Sequence, residues 1–147
     1  EYRRQRQMCI RDRDFPHMAF LRTSAALKSA QLNAIVSAVG ANGKIEFYTG
    51  AAPANVDTAA TGTKLGTLTC AATLGTVSGA TLTLNAITGD TSVDNTGAWG
   101  YARITTSAGV GVIDVDVGTS GTTIIMAAAS AVQGATLDIT SFTISQA

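Results

Sequence analysis

The chain has 147 residues, of which 46% are hydrophobic, 5% aromatic and 14% charged, and its formal net charge is zero. One domain is the expectation at this length. The charged share falls well short of the roughly 25% of ordinary soluble domains, which suits close-packed β-structure and a partly covered surface; residues 18–147 carry five Lys/Arg and seven Asp/Glu and so hold no basic stripe for nucleic acid, and no apolar run reaches the length of a spanning helix.

Residues 1–17 differ from the rest. They hold Arg3, Arg4, Arg6, Arg11 and Arg13 with only three acids, and show no helical or strand period. The string Met8 to Arg13 resembles translated adapter read-through of metagenomic assemblies, so residues 1–17 are expected to be a non-native leader, with Met18 as the natural start. The alternative is a basic arm for nucleic acid or an acidic neighbour. No signal-peptide core is read, because Ala19-Phe20-Leu21 runs straight into Arg22.

Residues 18–43 are expected to form a helix and a turn. Thr23 or Ser24 can cap a helix starting near Ala25, along which Leu27, Leu32, Ile35, Val36 and Val39 recur at helical spacing. Gly40 ends it and Asn42-Gly43 supplies a tight turn. Such a short helix must pack on something. Its own sheet is the plain partner; a neighbouring subunit is the sharper one, with Leu32, Ile35 and Val39 as candidate contacts.

From Lys44 to residue 147 the period changes to two. Ile45 and Phe47 alternate with Glu46 and Tyr48, and residues 50–64 form a loop rich in turn formers. Leu68, Cys70 and Ala72 share a face in the next strand, and Leu82 and Leu84 in another. Trp99 to Thr106, Val112 to Val117, Thr122 to Ala127 and Thr136 to Ser145 complete the set, with turns at Gly89-Asp90, residues 94–97, residues 107–109 and residues 118–121. In the last strand Leu137 and Ile139 have one parity, Phe142 and Ile144 the other, so a bulge or bend is expected near Ser141. The fold class is all-β: an antiparallel β-sandwich, jelly-roll or immunoglobulin-like, of about seven to eight strands with one short N-terminal helix.

Chemistry is sparse. The single histidine, His17, falls in the leader, so no Ser-His-Asp or Cys-His arrangement has its base in the domain. Cys9 and Cys70 fit no zinc spacing, and Cys70 reads as a small buried hydrophobe. The pairs Asp114/Asp116 and Asp90/Asp94 match no calcium loop. The glycines sit in turns rather than between a strand and a helix, so they form no phosphate-binding motif. No catalytic residue, metal or other cofactor is expected, and no small-molecule substrate. Trp99, Tyr101 and Arg103 share one strand face by parity. Two aromatics and a lone Arg there suit a subunit interface, with a surface salt bridge as the plain alternative for Arg103; stacking of Trp99 and Tyr101 on a sugar is the rival, and would make the chain a carbohydrate-binding module. A filament subunit joined by strand exchange is a third reading, against which the helical N-terminal region counts.

Six stretches in order carry a resemblance: residues 43–50 (GKIEFYTG), 53–59 (PANVDTA), 65–70 (LGTLTC), 98–104 (AWGYARI), 116–121 (DVGTSG) and 139–144 (ITSFTI). From about residue 24 onward they resemble a family of small virion-associated proteins of tailed bacteriophages, of the head-decoration, head-fibre or tail-associated kind. Gly100 departs from the pattern, which expects a bulkier or absent residue before the aromatic position. The resemblance implies a structural role without catalytic residues. It implies location in the virion and assembly as a homo-oligomer, a trimer or larger ring, on other virion proteins, with no nucleic acid or membrane as partner. Trp99, Tyr101, Arg103, Pro53 and Asn55 are the candidate contacts.

Overall fold

The computed structural model describes residues 22–146; the expectations for the leader, including Cys9 and His17, lie outside them. Helix α1 spans Ala25–Val39. The Ser24 hydroxyl accepts from the Leu27 amide at 3.2 Å, satisfying one of the helix's unpaired donors. At the other end Gly40 takes φ 69° and donates to the Val36 carbonyl. Leu32 and Val39 are buried and Ile35 and Val36 partly so, which makes one stripe, and α1 packs through it on strands of its own sheet.

Eleven strands follow: β1 Lys44–Tyr48, β2 Lys64–Cys70, β3 Gly75–Ser78, β4 Thr81–Leu84, β5 Ile87–Thr88, β6 Gly97–Ala98, β7 Tyr101–Thr105, β8 Gly111–Gly118, β9 Ile124–Met126, β10 Ser130–Ala131 and β11 Ile139–Ser145. Nine of them form one hydrogen-bonded sheet in the order β3-β4-β11-β9-β8-β7-β1-β2-β5, and β10 and β6 pair as a separate ribbon. Among the described residues the protein is therefore mostly β with one helix, as the alternation predicts. Two details are corrected. The sheet has nine strands; β3 and β5 each hold a single large apolar residue, Val77 and Ile87, and so display no alternation. It is also mixed rather than antiparallel, since β8 and β9 run parallel, Val117 opposite Ile124. Ala72, expected on the face of Leu68 and Cys70, lies exposed beyond the end of β2.

The sheet curls. An isolated bridge joins Asp90, just past edge strand β5, to Leu137, just before β11, with the Leu137 amide donating to the Asp90 carbonyl at 2.8 Å. Strands far apart in the sheet order are thereby drawn together around one core, which includes Leu32, Ile45, Phe47, Leu82, Ile124 and Phe142. The register of β11 against β9 shifts between Ile139 and Ser141, the bulge that the change of parity predicts.

Candidate functional site

The polar side chains that could carry chemistry gather on the outer face of β1, β7 and β8. Because Ile45 and Phe47 point into the core, Glu46 and Tyr48 must point away from it. The register then sets two rows across the three strands. Tyr48 stands opposite Tyr101, and Tyr101 opposite Asp116; Glu46 stands opposite Arg103, and Arg103 opposite Asp114.

Arg103 is 5% exposed. Its Nε and one terminal nitrogen donate to the two oxygens of Asp114, both at 2.7 Å, and the other terminal nitrogen donates to the Thr58 carbonyl at 2.6 Å. The fork geometry of guanidinium against carboxylate is what makes this pair directional. Hydrogen bonding to Asp114 pushes the Arg103 pKa further up, against a smaller opposing effect of burial. Tyr101, 3% exposed, stacks on Tyr48 with ring centres 5.3 Å apart. Its hydroxyl accepts from the Thr61 amide at 2.9 Å and donates to the Thr61 carbonyl at 3.0 Å. The Tyr48 hydroxyl donates to Glu46 at 2.9 Å; burial first, and this hydrogen bond second, push its pKa up to about 12. Asp116 accepts from Thr123, which lowers its pKa.

Both fastenings from β7 end on the backbone of residues 49–63. This segment also closes on itself, through the Thr49 amide on the Thr63 carbonyl and the Thr63 amide on the Thr49 hydroxyl. A polar cleft of about 350 Å³ runs between the loop and the sheet, lined among others by Glu46, Tyr48, Asp57 and Arg103. Asn55 is exposed on the loop and its carbonyl accepts from Thr58; Pro53 is half-buried.

Trp99 is not part of this arrangement. The expectation that it shares a face with Tyr101 and Arg103 is corrected: its ring meets Phe47 edge-on, on the core side, at 5.6 Å. Its indole N–H donates to the Ala128 carbonyl at 2.8 Å, and it lines a mainly apolar groove of about 260 Å³ with Met126, Val132 and Leu137. Gly100 is the reason. Residues 99 and 100 are outside any strand, and a Cβ at Gly100 would sit 2.0 Å from the Gly50 carbonyl oxygen. The start of the loop presses on the backbone there, and the alternation is broken between Trp99 and Tyr101. The two-ring sugar platform therefore does not form. Leu32 and Val39 are fully enclosed by the chain's own core, and Ile35 is partly buried against it.

Sequence reading missed the Arg103–Asp114 pair, because the turn alone does not give its register. A hairpin centred on the turn at residues 107–109 brings β7 against β8 but would set 103 opposite 113; the register shift between Ile104 and Thr105 is what places 103 opposite 114 and 101 opposite 116. Among the described residues no three His, Cys, Asp or Glu side chains come together to hold a metal ion, and no helix is long and apolar enough to cross a membrane. No family model, curated protein or solved structure matches the chain.

Proposed function

We propose that the chain is a structural virion protein of the tailed-phage type, which assembles as a homo-oligomer and docks on a capsid or tail lattice through the 49–63 loop. The observation that carries this reading is the fastening of that loop. The Arg103 and Tyr101 side chains are buried and bonded to its backbone, so what faces outward is a preset loop rather than reactive groups. Ala51, Ala52, Ala54, Asn55, Thr58 and Ala59 are exposed on it, and Asp57 is its one charged residue. A surface held in place before contact loses less conformational freedom on docking than a mobile one. The ordered stretches that resemble virion-associated proteins support the same reading. We also read the curl of the nine-stranded sheet as a sandwich-like or jelly-roll-like wrap with the Asp90–Leu137 bridge as its seam; the single core shared by strands from distant places in the sheet supports this.

Light scattering on the eluting full-length chain should give a defined oligomer, and the chain should co-sediment with capsids or tails of a phage that encodes it. An Asp57→Lys, Asn55→Ala variant should keep its fold and lose co-sedimentation. A strict monomer that binds neither particle overturns the proposal.

A further inference from the structure

We propose that Asn42-Gly43, the joint between α1 and β1, is a site of spontaneous deamidation. Asn42 is exposed and is the one non-glycine residue with positive φ, 56°, among the described residues. Gly43 cannot be exchanged to protect it, because a Cβ there would stand 2.2 Å from Val39 Cγ1 and 2.9 Å from the Thr105 carbonyl oxygen. Packing thus holds, after an exposed asparagine, the residue that least obstructs attack by its own amide nitrogen.

The Gly43 amide gives up its proton to base, and its nitrogen attacks the side-chain carbonyl carbon of Asn42. A nitrogen–carbon bond forms, the carbon–Nδ2 bond breaks, and ammonia leaves carrying the proton. Water then opens the succinimide ring at one carbonyl or the other, leaving aspartate or isoaspartate at position 42. Both add a negative charge. Aspartate tolerates the left-handed backbone and keeps the turn. Isoaspartate lengthens the main chain by one carbon between two fixed points, the Asn42 amide on the Ala71 carbonyl and the Gly43 carbonyl under the Cys70 amide.

The other four asparagines of the sequence, Asn33, Asn55, Asn85 and Asn95, are each followed by a residue with a side chain. Three of them also have their amide nitrogens hydrogen-bonded, Asn33 to the Ser29 carbonyl, Asn85 to the Thr73 hydroxyl and Asn95 to the Lys64 carbonyl. Reaction is therefore selective for position 42.

The test is incubation of the full-length protein at mildly alkaline pH, in native buffer and in urea, followed by tryptic peptide mapping. The peptide after Lys28 that ends at Lys44 holds both Asn42 and Asn33, so each sample carries its own reference. Amide-to-acid conversion, with both acid isomers resolved by fragmentation, should accumulate several-fold faster at Asn42 than at Asn33, in native buffer as well as in urea. An Asn42→Gly variant, which retains the left-handed turn, should show only the Asn33 rate. If Asn42 keeps its amide in native buffer while the urea sample converts fully, or if Asn33 converts first, the proposal fails.

Discussion

Arg103 and Asp114 are the residues on which the loop depends. Their side chains are 6% and 13% exposed, so removing one partner leaves a desolvated charge behind. Arg103→Ala or Asp114→Ala should cost about 3–5 kcal/mol in urea unfolding, as for other broken buried pairs; a loss no larger than that of a surface substitution would contradict the pairing. Two further residues set the alkaline limit. Burial pushes the Cys70 thiol from 9.0 up to about 11, and Tyr48 moves from 10.0 to about 12. Each holds its proton more tightly folded than unfolded. The stability each contributes is intact below its ordinary pKa and is lost as pH rises towards the raised one. Urea midpoints should therefore fall between pH 9 and 12, and Cys70→Ala should flatten the lower part of that fall. At this scale the sequence was readable wherever a residue acts on its near neighbours. Ser24 as cap, Gly40 as terminator and buried Cys70 all stand as expected. Trp99 was misplaced because the contact that breaks the alternation comes from Gly50, about a third of the chain away.

At the scale of the element, α1 separates two kinds of leucine on one helix. Leu32 is fully buried against the sheet, whereas Leu27 is 47% exposed. Leu32→Ala should cost about 2–5 kcal/mol by opening a cavity, while Leu27→Ala should stay within roughly 0.5 kcal/mol. Thermal denaturation of the two variants beside the parent checks the contrast, and equal losses would mean that the helix docks by another face. Helical spacing alone marks both leucines, since it shows a stripe without saying how far the sheet reaches around it. The strands divide similarly. Long β8 and β11 show their period in sequence, but β3, β5, β6 and β10 have four residues or fewer and are set by the partners they find.

At the scale of the molecule, the sheet is built from pairings distant in sequence. β11 returns to pair with β4, and β9 lies parallel to β8 although only residues 119–123 separate them. Loops must close before such contacts form, so refolding should occupy milliseconds to seconds, as about this range is usual for non-local β folds. Trp99 is the single tryptophan and is set against Phe47, which makes its fluorescence the probe. Refolding completed within microseconds would contradict this topology.

By itself the sequence determined the all-β character, the capped helix, the turn at Asn42-Gly43 and the bulge near Ser141. These depend on backbone preferences and on alternation over a few residues, which act without reference to distant parts of the chain. Only the tertiary structure decided the mixed sheet, its curl through Asp90 and Leu137, the fastening of the 49–63 loop by Tyr101 and Arg103, and the transfer of Trp99 to the core side. Each of those requires knowing which remote backbone lies alongside, and period and composition carry no record of that.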